Sequence, residues 1–318
     1  MVRPTGGPDG PPAIDDLVET TWQWLQSAAA APRHVVTLGD ADYPQALLQT
    51  ADPPLLLYAV GDAGFLNRPA VAVVGSRNPT PQGLDNARAF AAHLSDAGLA
   101  VVSGLALGID GAAHEGALAG ATGTVAVVAT GLDRVYPRRH LDLARRIVAK
   151  GALLSEYPLG TPSLATNFPV RNRLIAGIAR GTLVIEAALQ SGSLITARLA
   201  TEAGRDVFAL PGSIHSPLSK GCHALIKQGA KLVDCAQDIL DELRPTARPV
   251  GTTRDSTPTG TPDDAVLRAL GHDAATLDEL VSRTGWPAPD LNARLLELEL
   301  AGTVDRLPGQ RFQRRHRA

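Results

Sequence analysis

Residues 167–197, "NFPVRNRLIAGIARGTLVIEAALQSGSLITA", carry three arginines, two asparagines and a Gln-Ser-Gly-Ser elbow. The same stretch has no histidine, cysteine, lysine or aspartate. Guanidinium groups, amides and hydroxyls are suited to gripping an anion. Nucleophilic and acid–base catalysis draw on groups that are scarce here. The stretch has the chemistry of holding rather than cutting.

Three further stretches extend that chemistry. "VAVVGSRNPT" puts Gly75, Ser76 and Arg77 at a strand-to-helix turn, where a glycine admits a ligand close to the backbone and helix amides face a phosphate. No Gly-Lys-Ser/Thr follows at P-loop spacing, and there is no G-x-G-x-x-G. Arg77 could equally cap a neighbouring carbonyl. "SGLALGIDGAAHEGAL" sets Gly104, Gly108 and Gly111 around a helix start, as an anion nest or a tight packing point. Its His114 reads as a structural hydrogen-bond partner rather than a base. "DRVYPRRH" and "NFPVRNR" place Tyr136 beside Arg138, and Phe168 beside Arg171, Asn172 and Arg173. Cations interleaved with stacking faces are what a single nucleic-acid strand requires, although Phe168 could also be a core anchor. In "EAALQSGSLITA", Ser191, Gly192, Ser193 and Thr196 open another helix, where hydroxyls and amides can take a phosphate or simply cap the helix. There is no G-x-S-x-G elbow and no Ser-His-Asp order, which argues against serine hydrolysis.

The elements that must position these residues follow from the hydrophobic pattern. Short apolar runs at 70–75, 100–104, 124–129, 152–156, 182–187 and 206–210 predict strands. Amphipathic stretches near 82–97, 110–119, 139–150, 171–179, 193–203 and 220–228 predict helices between them. Continuously apolar strands alternating with helices imply an α/β fold, a doubly wound, mainly parallel, extended Rossmann-like sheet covered on both faces. Every stretch with binding chemistry follows a strand, so all of them collect at the carboxyl edge of the sheet, where ligands sit in such folds.

Residues 34–69 read as an ordered segment that docks on this sheet, giving a main domain over 34–243. Residues 1–33 read as a largely disordered leader with one helix candidate around 14–29. Residues 244–263, rich in Pro, Thr and Gly, read as a linker. Beyond it, 264–318 holds three short amphipathic helices and a closing hairpin, a small winged-helix-like domain. Thr276 is placed to cap the second helix, and Gly271, Gly285 and Gly302 sit near helix ends.

Of 318 residues 44% are hydrophobic, enough for a sizeable core, but only 4% are aromatic, so Leu, Val, Ile and Ala must do most of the packing. The net charge of −2 is unevenly spread. Residues 71–240 hold 16 Lys/Arg against 12 Asp/Glu, and 303–318 hold five against one, so these are the regions for an anionic partner. Two cysteines, Cys222 and Cys235, cannot build a disulfide framework. His215, Cys222 and His223 lie near one another at a spacing that matches no zinc pattern, and no metal or other cofactor is expected. No apolar run is long enough to cross a bilayer, and the N-terminus lacks a signal-peptide core, so the expected location is cytoplasmic.

Taken together, "VAVVGSRNPT", "GLALGIDGAAHEGAL", "GLDRVYPRRH", the 167–200 stretch and "VFALPGSIHSPLSKGCHALIKQGAKLV" resemble the DNA-processing protein family DprA (Smf). The resemblance covers about residues 35–243. It implies a cytosolic bacterial protein that binds single-stranded DNA in natural transformation. Such a protein shields incoming strands and helps load the RecA recombinase onto DNA coated by single-strand-binding protein. It further implies an extended Rossmann fold, a homodimer and no established catalysis. Onto the family's motifs fall Gly75, Ser76, Arg77, Arg138, Phe168, Arg171, Asn172, Arg173, Ser191, Gly192, Ser193 and Thr196, as a DNA-binding set. Many members begin with a helical, SAM-like domain, whereas about 33 residues precede the resembling part here.

Two other readings use the same elements. A related Rossmann variant occurs in nucleotide phosphoribohydrolases of the lysine-decarboxylase-like (LOG) type, but their Pro-Gly-Gly-x-Gly-Thr-x-x-Glu loop is missing. Glu186 and Arg198 are the one carboxylate–base pair available to that chemistry. A winged-helix transcription regulator is the other, yet its recognition helix, "APDLNARLLELELAG", sets Asp290, Glu297 and Glu299 against Arg294 alone.

Overall fold

The computed structural model describes residues 14–243, 265–270, 274–309 and 311–314. The linker at 244–263, the first part of the leader and Gly271 lie outside them. The chain divides into two compact units, Met1–Leu243 and Arg244–Ala318.

The first unit opens with helix α1 (Ile14–Gln26), followed by strands β1 (Arg33–Thr37) and β2 (Leu56–Gly61). The alternating part runs β3 (Ala70–Gly75), α2 (Pro81–Asp96), β4 (Ala100–Ser103), α3 (Ile109–Ala119), β5 (Thr124–Val127) and α4 (Leu141–Lys150). It continues through β6 (Gly151–Ser155), α5 (Asn167–Ile178), β7 (Gly181–Ile185), α6 (Gly192–Glu202) and β8 (Asp206–Ala209), then α7 (Lys220–Lys227), β9 (Lys231–Leu232) and α8 (Ala236–Leu243). The six strands and six helices expected from the pattern between residues 70 and 228 are all present.

The strands form one sheet in the order β1-β2-β6-β5-β4-β3-β7-β8-β9. From β6 to β9 every pairing is parallel. Strand β3 shows why the strands read as continuous apolar runs. Ala70, Ala72 and Val74 enter one core layer with Leu174, Ile175 and Ile178 of α5. Val71 and Val73 enter the other, with Phe90 and Leu94 of α2 and Ile109 of α3. A strand with helices on both faces has no solvent side on which to alternate.

Residues 34–69 do more than dock on this sheet. Strand β2 pairs antiparallel with β6, Tyr58 opposite Ser155, and β1 pairs antiparallel with β2 at the edge. Helix α1 leans on this end, with Trp24 edge-on to Tyr58 at 6.1 Å and the Arg33 guanidinium 5.1 Å from the Trp24 ring.

The second unit contains α9 (Ala265–Leu270), β10 (Ala275–Thr276), α10 (Leu277–Thr284), α11 (Ala288–Leu300), β11 (Val304–Leu307) and β12 (Arg311–Arg314). The strands form a three-stranded sheet, β10-β12-β11. Thr276 caps α10 reciprocally with Glu279, and Gly285 closes it at φ +70°. Leu280, Leu291, Leu295 and Phe312 share a small separate core. This is a winged-helix arrangement.

Candidate nucleic-acid interface

In the sheet, β4 lies on one side of β3 and β7 on the other. The chain reverses its direction of winding there, so the loops leaving β3 and β7 diverge and leave a crevice at their carboxyl ends. A groove of about 700 Å³ occupies that crevice. Gly75, Ser76, Arg77, Phe168, Arg171, Asn172, Ser191, Gly192, Ser193 and Thr196 line it, together with Tyr136.

The loop carrying Arg77 is fixed from both sides. Its Ser76 N–H donates to Glu186 O at 2.7 Å, and Ser76 O accepts from Ile109 N–H at 3.1 Å. Asn78 N–H donates to Ser76 Oγ at 3.1 Å. Gly108 is required where it stands, at φ +80°, because a Cβ there would come within 2.4 Å of Ser76 O. Farther along, the Glu186 carboxylate accepts from Thr80 N–H at 2.7 Å and from Thr80 Oγ1 at 2.5 Å, while Thr80 caps α2. Burial raises the Glu186 carboxyl above its ordinary range, against those two hydrogen bonds.

From this fixed loop the exposed Arg77 side chain extends to Phe168, its Cζ 5.3 Å from the ring centroid. The Phe168 ring in turn lies 5.7 Å from that of Tyr136, which is 51% exposed. A guanidinium and two aromatic faces therefore form one wall. In the same lining, Ser191 caps α6, its Oγ accepting from Ser193 N–H at 3.3 Å and lying 2.7 Å from Ser193 Oγ. Asn172 Nδ2 donates to Gly192 O at 3.5 Å, linking α5 to the α6 turn. Among the described residues the groove can thus offer one free cation, stacking surface, and the hydroxyls and positive end of a helix.

The arginines of "NFPVRNR" have other tasks. Arg171 is part of the groove floor but only 3% exposed. Its Nη1 donates to Gly104 O at 2.8 Å and to Val127 O. Burial lowers its pKa to about 10, with buried Asp110 opposing the shift, so it stays charged at neutral pH. Asp110 accepts from Gly104 N–H at 3.1 Å and Ala106 N–H at 3.2 Å, and burial raises its carboxyl despite Arg171. Arg173 does not line the groove: it pairs with Glu156 and Asp52 and donates to Asp52 O at 2.9 Å. Arg138 is exposed on a short turn outside the groove lining. Of the four arginines expected to grip a strand, Arg77 alone reaches into the groove with an exposed side chain. Sequence reading passed over Asp110, Asn78 and Gln190, which also line it. Asp110 stands at a glycine-rich helix start, a position whose chemistry was legible.

Helix α3 buries His114 completely, and its Nδ1 lies 2.7 Å from Thr124 Oγ1. That hydroxyl already donates to Val101 O at 2.6 Å, so Nδ1 must carry the proton, and Nε2 has no partner among the described residues. Burial first, then His140 and Arg171, push its pKa down to about 3. Glu186 and Arg198 are committed separately, to Thr80 and to Glu202 at 3.4 Å. His223 bonds Gly212 O at 2.9 Å and Cys222 Sγ lies against Val184 O at 3.6 Å, each turned to a backbone carbonyl. The Asp234, Cys235 and Asp238 group is a helix cap, with Asp238 accepting from the other two backbone amides. No helix among the described residues is long and apolar enough to cross a membrane.

Comparison with known proteins agrees with this architecture. Residues 34–244 match the family described as DNA recombination-mediator protein A, and residues 250–310 match the DprA winged helix domain. Protein Smf of Escherichia coli is 43% identical over 92% of this chain and 79% of its own length. The X-ray structure of DNA processing protein A (DprA) from Streptococcus pneumoniae has a TM-score of 0.66 at 44% identity, covering 72% of this chain and 79% of that one. A structure of DNA processing protein A from Helicobacter pylori, described for its single-stranded DNA binding mode, has a TM-score of 0.60 at 33% identity. It covers 66% of this chain and 95% of the other. The chain belongs to the DNA recombination-mediator protein A (DprA, Smf) family.

Proposed function

We propose that this protein processes DNA by binding a single strand in the groove at the carboxyl edge of its sheet. The observation that carries the reading is the contact of Arg77, Phe168 and Tyr136 in one groove that the Ser191–Ser193 helix start also lines. Phosphates would be held by Arg77 and the α6 terminus, and bases would stack on the two rings. The single-strand binding described for the Helicobacter relative supports this. Family membership supports the rest of the proposal: a cytoplasmic homodimer that shields incoming strands in natural transformation. It would also help load RecA onto DNA covered by single-strand-binding protein. Among the described residues no nucleophile in the groove is paired with a base, which supports a strand that is held rather than turned over.

Titration of oligo-dT across salt concentrations tests the reading. Arg77→Glu is expected to abolish most binding in a protein that remains folded. Loss of one ion contact should flatten log K against log salt by about 0.7. Unchanged affinity in that variant refutes the groove. The phosphoribohydrolase alternative has its own readout: release of ribose 5-phosphate from a nucleoside monophosphate, lost in Glu186→Gln, would replace this reading.

A further inference from the structure

A second basic cavity, of about 240 Å³, opens at the opposite edge of the same sheet. Three arginines line it, Arg68, Arg180 and Arg205, with the amides Gln45, Gln49 and Asn67, and no carboxylate among the described residues. It is therefore more one-sided in charge than the strand groove, whose lining includes Asp110.

Strand topology explains the clustering. Arg68 precedes β3, Arg180 directly precedes β7 and Arg205 directly precedes β8, and these three strands are neighbours in the sheet. Arg180 N–H donates to Ala70 O at 2.8 Å, and the next residue, Gly181, is in register with Asp206. Side chains at the starts of adjacent parallel strands lie about 5 Å apart along the sheet edge.

The three arginines are engaged to different degrees. Arg205 Nη2 donates to Ala46 O and Gln49 Oε1, both at 3.0 Å, while its buried Nε has no acceptor among the described residues. Arg68 lies over the Phe65 ring at 3.9 Å and is 4.0 Å from Asp62. Arg180 is exposed, and its side chain has no partner among the described residues. One anchored, one shared and one free guanidinium around a single cavity form a preorganised receptor for a multidentate oxyanion.

We propose that this cavity seats a phosphate group, separate from the strand groove and a sheet-width away from it. The strands are five or six residues long here, which sets the two edges about 17–20 Å apart. One phosphate cannot serve both sites. The chemistry is shared by a phosphodiester of a longer DNA strand and by free phosphate.

The test uses the full chain, as wild type, Arg180→Glu and Arg77→Glu, in two arms. The first measures an oligo-dT of about six nucleotides and one of about thirty across salt. The second measures inorganic phosphate by calorimetry. A backbone phosphate predicts that Arg180→Glu spares the short oligonucleotide and flattens the salt slope of the long one by about 0.7. That equals about a fivefold loss at 0.1 M relative to 1 M salt. Free phosphate predicts loss in the second arm alone. If Arg180→Glu changes neither arm, the site does not exist. Failure of the groove reading would show separately, as unaltered short-oligonucleotide binding in Arg77→Glu.

Discussion

Arginines of the same expected role acquire different chemistry from what surrounds them. Arg77 stands in solvent over an aromatic ring and keeps its donors for a ligand. Arg173 is held by two carboxylates, and Arg171 by carbonyls. The buried titratable groups give the protein a particular acid response. His114, with its pKa lowered to about 3 from 6.5, takes up a proton more readily in the unfolded chain. The stability that it secures is complete above pH 6.5 and is lost as the pH falls toward 3. Asp110 and Glu186, both raised by burial, act with the opposite sign, gaining stability as the pH drops through their folded values. Both carboxyls are common to the wild type and to a His114 variant, so the difference between the two proteins isolates the histidine. We expect the urea midpoint to drop further in the wild type than in His114→Gln as the pH falls from 6.5 to 4. Parallel pH profiles would show that the histidine does not govern the acid response.

Among the elements, α5 is the one on which the groove depends. Its first turn presents Phe168, and one turn later Arg171 ties it to the ends of β4 and β5 through Gly104 O and Val127 O. A Cβ on Gly104 would come within 2.7 Å of that guanidinium, so the strand end and the arginine fit as a unit. Removing the side chain orphans two buried carbonyls and leaves Asp110 buried without its counter-charge. Arg171→Ala is expected to cost about 3 kcal/mol of stability, and Arg171→Lys less. If oligo-dT binding by the folded fraction also declines, the salt slope should hold its wild-type value, because no phosphate contact has been lost. Denaturant unfolding beside the salt titration separates these outcomes. A stable Arg171→Ala protein with a flattened slope would make Arg171 a phosphate ligand after all.

For the whole molecule, the proposed strand groove lies in the first unit and the winged-helix unit has its own core. Helix α11, the element such folds use for duplex reading, carries Asp290, Glu297 and Glu299, with Arg294 already 2.5 Å from Glu297. Those charges disfavour phosphate contact. Arg311 and Arg314 on β12 can add a salt-sensitive increment without sequence preference. A chain ending at Leu243 should therefore fold, keep most oligo-dT affinity at moderate salt, and lose at most a low-salt contribution. Loss at every salt concentration from a folded truncation would make the winged-helix unit part of the strand site.

The sequence by itself determined the local elements and one global consequence of their order. Apolar runs alternating with amphipathic ones left a parallel sheet with helices on both faces as the available solution, and parallel strands then put the loops that follow β3 to β8 on one edge. Gly75, Ser76, Arg77, Phe168 and the Ser191–Thr196 turn were legible because each immediately follows a strand or starts a helix. Tertiary structure decided what depends on partners distant in the chain. Strand order is not sequence order, so β1 and β2 could join the sheet beyond β6, and Arg68, Arg180 and Arg205 could meet at its far edge. Burial divided the arginines of "NFPVRNR" in the same way, since a guanidinium faces water or carbonyls according to which strands end beneath it. That is a property of packing, and residue type carries no record of it.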